Sequence, residues 1–149
     1  MYRHILVPTD GSLVSARAEK AAVEMAKKLR ARITVAHVME PWSAFKPGEV
    51  RGAGTQPLSR EEYEKLSLKR ANNAARRVLA RAKRAKVPAK AVLDTDDSPA
   101  DALVRIAANE GCDLIVMASN SRAGIERIFL GSVASEVLSG TKTPVLVCH

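Results

Sequence analysis

Short apolar runs alternate along this chain with stretches whose apolar positions recur every three or four residues. The run HILVPT at 4–9 is rich in branched residues and predicts a strand buried on both faces. Ser12 then offers an N-cap, and Val14, Ala18, Ala22, Met25, Ala26 and Leu29 keep helical spacing, predicting a first helix to about Arg30. ITVAHVM at 33–39 predicts strand two. The following PWSAFKPGEVRGAGTQP holds three prolines and three glycines and predicts a loop. Ser59 and Glu62 form a capping box before a long helix with Tyr63, Leu66, Ala74, Val78, Leu79 and Ala82 as its apolar stripe, ending at Val87 and Pro88. AKAVLD at 89–94 predicts strand three. Ser98, Pro99 and Asp101 then take the N-cap, N1 and N3 positions of a helix that ends near Gly111. DLIVMA at 113–118 predicts strand four, SNSRAGIERIFLGS a loop, 133–139 a short helix with Ser132 as a good N-cap, and TPVLVC strand five.

Strand and helix alternating throughout imply right-handed crossovers and a parallel sheet covered on both faces. The expected fold class is α/β, an open five-stranded, doubly wound three-layer sandwich. At 149 residues the chain suits one domain, 1–149, able to bury roughly 70% of its unfolded surface. In such sheets ligands bind beyond the carboxyl ends of the strands, where the strand order reverses. With strand one central, the places to look are the loops after strands one and four.

Composition narrows the function classes. No apolar run approaches the 18 or so residues that span a bilayer, and the opening MYRHILVPTDGS lacks the apolar stretch of a signal peptide, so a cytoplasmic location is expected. Cys112 and Cys148 stand apart from any CxxC pattern and read as buried thiols in a reducing compartment. His4, His37 and His149 have no ligand spacing, which gives a zinc site no support. The net charge of +8 favours anionic partners in general. Its excess gathers at 60–90, including Arg70, Arg76, Arg77, Arg81, Lys83, Arg84 and Lys86, with a single tyrosine among them. Without stacking aromatics or a reading motif, this stretch is expected to be a solvated helix face rather than a nucleic-acid site.

Two loops carry candidate chemistry. In PTDGS, the carboxylate of Asp10 falls at the crevice beside the first helix. It either accepts hydrogen bonds from ribose hydroxyls or helps hold magnesium, or it complements the helix dipole and braces the turn at Gly11. In SNSRAGIERIFLGSVAS, Gly131 and Ser132 directly precede a helix, where backbone amides and the dipole make an anion site; capping alone also accounts for them.

VPTDGS at the start, AHV after the first helix, and DLIVMASNSRAGIERIFLGSVASEVLSGTKTPVLV at the end resemble universal stress proteins. The resemblance covers nearly the whole chain and weakens only at 41–57. It implies an adenine nucleotide alpha hydrolase-like sheet of order 3-2-1-4-5 and a stress-response module with regulatory rather than catalytic work. It also implies a homodimer paired through the C-terminal strand, whose apolar edge invites another strand. In the family's ATP-binding branch the loop after strand four carries a glycine, two residues, a second glycine, nine residues, then glycine and serine or threonine. Here Ala118 and Ser121 stand at the first two glycine positions, while Gly131 and Ser132 match. A nucleotide, ATP with magnesium by the resemblance, would meet Asp10 at its ribose and the main chain of Pro8, Thr9 and Val38 near adenine. Met117, Ala118, Asn120, Ser121 and Arg122, with Gly131, Ser132 and Val133, would surround the phosphates. Ala118 puts a methyl group where the family has none, which strains or crowds a phosphate cradle.

Two alternatives differ in class. A nucleotide hydrolase or transferase would use Asp10 with Ser132 and a metal, but no base pairs with a nucleophile and no histidine falls in either loop, so slow incidental ATP hydrolysis is the most expected. A phosphoacceptor receiver domain would explain Asp94, Asp96 and Asp97, yet it wants a second acid beside Asp10 and a lysine after the last strand, where this chain reads VCH. The Asp cluster is more economically a turn and cap. A third outcome is a dimeric interaction protein that binds no nucleotide, and neither the partner nor the stress is legible.

Overall fold

The computed structural model describes residues 1–52, 54, 56–119 and 130–149. Strands β1 (His4–Pro8), β2 (Arg32–Met39), β3 (Ala89–Thr95), β4 (Leu114–Ala118) and β5 (Val145–Cys148) form one sheet. Its order is β3-β2-β1-β4-β5, and every neighbouring pair is parallel. This is the order implied by the resemblance. A receiver-type sheet runs 2-1-3-4-5, so that alternative is excluded by topology.

The helices α1 (Leu13–Leu29), α2 (Arg60–Arg84), α3 (Pro99–Glu110) and α4 (Ser132–Gly140) divide between the two faces. Period-two alternation in the strands makes the division possible. Ile5, Val7, Ile33, Val35, Leu114 and Val116 point to one side and pack with Ala18, Ala22, Ala26, Ala75 and Val78 of α1 and α2. Leu6, Ala36, Ile115 and Met117 point to the other and pack with Leu103, Ile106, Ala107, Ala134 and Val137 of α3 and α4. The many alanines on α1 and α2 let those helices lie close to the sheet. β3 is mostly exposed along its first three residues, as an edge strand is, while β1 is buried except at Pro8.

The capping box is formed: the Ser59 amide donates to Glu62 Oε2 at 2.9 Å and the Glu62 amide donates to Ser59 Oγ at 3.2 Å. Gly111 ends α3 with φ 67°, a left-handed conformation that glycine adopts without strain. Three local expectations are corrected. Ser98 occupies the N-cap of α3, but its side chain makes no capping bond, and its amide instead donates to Asp96 Oδ1 at 2.9 Å. The N-cap of α4 is Gly131, and Ser132 is the first helical residue, so the hydroxyl does not cap. Val14 is 40% exposed although its spacing suits the apolar stripe: it stands in the first turn of α1 and belongs to neither core cluster.

At the amino end of the sheet His4 is 4% exposed, its Nε2 lies 2.8 Å from Thr34 Oγ1, and its Nδ1 has no partner among the described residues. Burial holds its pKa below the ordinary value, with the Arg32 charge adding to the effect and Glu110 and Asp113 opposing it. His37 of β2 is also lowered by burial, against a hydrogen bond that its ring makes to the Thr9 main chain and the charge of Asp10. A histidine lowered on folding binds fewer protons in the native state. Its stabilisation is full above about pH 6.5, the unfolded value, and declines as pH falls below it. Thermal melts from pH 8 to 5 should therefore fall more steeply for the wild type than for His4→Gln, and parallel curves would refute this. Nearby, burial pushes the Cys112 thiol up to about 11, so it stays protonated at neutral pH.

Candidate functional site

β1 and β4 lie side by side at the centre of the sheet, and both deliver their chains to one cleft. The Thr9 amide continues the ladder by donating to the Ala36 carbonyl at 2.9 Å, and the Ser119 amide does the same to the Cys148 carbonyl at 2.9 Å. Beyond Thr9 the chain turns sharply at Gly11, whose φ of +80° favours glycine. A Cβ built there would stand 3.4 Å from the Ala74 methyl of α2, so the loop and that helix are in close contact.

Asp10 sits in this turn with its Oδ1 accepting the Ser12 amide at 2.8 Å, while Ser12 Oγ accepts the Ser15 amide at 3.1 Å and caps α1. Partial burial would raise the Asp10 carboxyl. Hydrogen bonds from the hydroxyl and amide of Ser12, with help from Ser15, outweigh it and hold the group below the usual carboxylate value. The carboxylate is thus both a turn brace and an ionised group at the cleft.

The cleft has a volume of about 230 Å³. Pro8, Thr9, Asp10, Ser12, Val14 and Ser15 form one wall, Ala36 and Val38 come from β2, Pro99 and Leu103 from α3, Met117 and Ala118 from β4, and Val133 from α4. Of the residues named from the sequence, Pro8, Thr9, Asp10, Val38, Met117, Ala118 and Val133 are brought together here. Gly131 and Ser132 adjoin Val133 at the start of α4 but do not line the cleft. The Gly131 amide donates to Ser119 Oγ at 3.3 Å, which ties the start of α4 to the end of β4. Asn120, Ser121 and Arg122 lie outside the described residues.

Six lining residues, Ser12, Val14, Ser15, Ala36, Pro99 and Leu103, lie beyond the set named from the sequence. Pro99 and Leu103 were accessible in principle: they are four residues apart in the first turns of a helix that begins at the carboxyl end of the sheet. Asp10 is the only charged side chain among the described lining residues, and the walls are otherwise apolar or hydroxyl-bearing. Among the described residues no group of three or more His, Cys, Asp or Glu is placed to hold a metal ion.

Beneath the first wall, Glu19 of α1 is fully buried. Its Oε1 accepts from Thr9 Oγ1 at 2.6 Å, Ser15 Oγ at 2.9 Å and Arg77 Nη2 at 2.6 Å, and its Oε2 accepts from Arg77 Nε at 3.1 Å. Arg77 is therefore not part of a solvated face. Arg70, Arg76, Lys83, Arg84 and Lys86 are exposed as expected. Arg77 departs from them because its position on α2 turns it toward α1, where a buried carboxylate needs a cation. A second cleft, of about 360 Å³, lies between α2 and the turn at Trp42–Ala44 and contains none of the site residues named from the sequence. Tyr63 stands at its wall, with ring centroids 5.5 Å from Trp42 and 5.3 Å from Phe45.

An open parallel sheet with a nonpolar cleft and one carboxylate at its switch point is the arrangement at which α/β domains of this class place small-ligand sites. The sequence model of the universal stress protein family matches residues 1–149, and the chain belongs to that family. It is 33% identical over 149 residues to universal stress protein MJ0531 of Methanocaldococcus jannaschii, covering 99% of this chain and 82% of the relative. Among solved structures, MJ0577 of the same organism superposes with a TM-score of 0.78 at 25% identity, covering 99% of this chain and 95% of that one. A universal stress protein solved in complex with cAMP superposes with a TM-score of 0.70 at 27% identity, covering 99% of this chain and 97% of that one.

Proposed function

We propose that this chain is a regulatory adenine-nucleotide-binding protein of the stress response, a single domain without catalytic work of its own. The observation that carries the reading is the cleft itself: apolar walls for a flat base, beside one ionised carboxylate for a ribose. The base would rest against Val38, Leu103 and the main chain of Pro8 and Thr9. The ribose hydroxyls would donate to Asp10. The phosphate would lie toward the first turn of α4, whose amides have no intrahelical carbonyl to meet them, with Gly131, Ser132 and Val133 on that side and Met117 and Ala118 opposite. Asn120, Ser121 and Arg122 belong to the same proposed phosphate loop. The relative that holds cAMP supports a cyclic or monophosphate nucleotide in a fold of this kind.

ATP with magnesium is the more demanding ligand. Asp10 supplies one carboxylate, so the phosphates and water would have to complete the ion's six oxygens. Turnover is not expected beyond slow incidental hydrolysis, because no base stands within reach of a nucleophile at the described wall. The exposed edge of β5 would pair with a second copy to give a homodimer working in the cytoplasm.

Isothermal titration of the purified protein with cAMP, AMP and Mg-ATP tests the reading. Saturable binding of at least one nucleotide, with a rise in Tm, is expected. No heat and no change in Tm at millimolar concentrations of all three would refute it.

A further inference from the structure

Among the described residues, the hydrogen-bond partners of the Glu19 and Arg77 side chains, apart from each other, all belong to the segment 9–15. Arg77 Nη1 donates to the Gly11 carbonyl at 3.0 Å and Nη2 to the Ser12 carbonyl at 3.4 Å, while Glu19 accepts from Thr9 and Ser15. Thr9, Ser12 and Ser15 line the cleft, yet neither Glu19 nor Arg77 does. Asp10 is thereby held from both chain directions, through Thr9 before it and through Gly11 and Ser12 after it. The anchor is a planar, bidentate fork rather than a point charge, so it fixes orientation as well as distance.

We propose that Glu19 and Arg77 are positioning residues that lock residues 9–12 to α2 and so present Asp10 to the cleft in its ligand-competent geometry. The proposal deepens the nucleotide reading and rests on it for the identity of the ligand. A pair that served stability alone would be replaceable by apolar side chains of similar size with little effect on the cleft, since such replacement of buried ion pairs is often neutral for folding. A positioning pair would not. The Gly11 carbonyl would lose the Arg77 donor and the Thr9 hydroxyl its acceptor, and the Ser12 carbonyl would keep only the Ala16 amide and the Ser15 hydroxyl, whatever happened to the melting temperature.

The test uses the full chain, with Glu19→Leu/Arg77→Leu as the apolar replacement and Arg77→Lys as the variant that keeps the cation but removes the fork. Arg105→Ala, which breaks a surface pairing with Asp94 and Asp96, is the control. Amide hydrogen exchange over 8–15 is read by mass spectrometry, and AMP affinity by titration. The double variant is expected to melt cooperatively, to exchange at least tenfold faster over 8–15, and to bind AMP at least tenfold more weakly. Arg77→Lys should fall between it and the wild type, and Arg105→Ala should match the wild type in both readouts. A folded double variant with unchanged exchange overturns the proposal. Faster exchange with unchanged affinity, in a wild type that binds AMP, overturns it as well. If the wild type binds no AMP, affinity is read with whichever of cAMP and Mg-ATP it binds; if it binds none of the three, the nucleotide reading has failed, and the exchange arm alone decides whether the pair holds the loop.

Discussion

Arg77→Ala is expected to destabilise the protein by about 3 kcal/mol, the low end of the cost of orphaning one member of a buried ion pair. Glu19 is 0% exposed and would keep only the hydroxyls of Thr9 and Ser15 as partners. The low end applies because the Arg77 side chain is itself 36% exposed, so water reaches part of the space it leaves. For a domain of this size that loss lowers Tm by roughly 6–12 °C. Removing both partners should cost much less than the single truncation, so the two changes will be strongly non-additive. A melt of Arg77→Ala within a degree or two of the wild type would show that water replaces the guanidinium at no cost.

Asp10→Ala should weaken nucleotide binding by ten- to a hundredfold, about 1.4–2.8 kcal/mol, the range of hydrogen bonds to a charged acceptor. Two losses contribute. The ribose hydroxyls lose their acceptor, and the Ser12 amide loses the side chain that now closes the turn at 2.8 Å. Asp10→Asn separates them, since its amide oxygen still accepts from Ser12 but carries no charge; it should recover part of the affinity. Because the Asp10 pKa lies below its ordinary value, the carboxylate stays ionised as pH falls from 7 to about 5, and affinity should hold over that range. Its contribution to folding runs the same way: present above about pH 3.9 and lost as pH falls through the lower native value. Titrations at several pH values check both, and affinity that collapses by pH 5 would assign the ribose contact to another group.

Much of this architecture is legible in one sequence because local and global signals agree. HILVPT and DLIVMA read as fully buried strands and are both interior, β1 in the middle of the sheet and β4 beside it. Ser59 and Glu62 mark a helix start by two reciprocal bonds that both form. The errors fall where tertiary placement decides. Val14 keeps perfect helical spacing, but spacing does not report that this first-turn residue lines the cleft instead of joining the core. Glu19 sits between Ala18 and Lys20 in a helix and reads as one more polar residue; nothing local reveals that Thr9, Ser15 and an arginine 58 positions away converge on it. The cleft followed a similar division. Asp10 follows from topology, which places the loop after the middle strand at the switch point, and Pro8 and Thr9 from the family resemblance, whereas Pro99 and Leu103 reach the cleft only through the packing of α3 across the sheet.

The sheet's two edges are chemically unequal, and this sets what kind of assembly it can form. β3 carries Lys90 and Asp94 along its length, charges that discourage a passing strand, whereas β5 reads VLVC with none. A strand that pairs with its own copy in antiparallel fashion does so about a two-fold axis, and the contact is isologous: each copy spends the same edge. Both apolar edges would then be consumed at once, leaving only the two charged ones facing outward. Growth would stop at two, so the asymmetry between a charged and an uncharged border favours a closed pair over an open-ended ribbon.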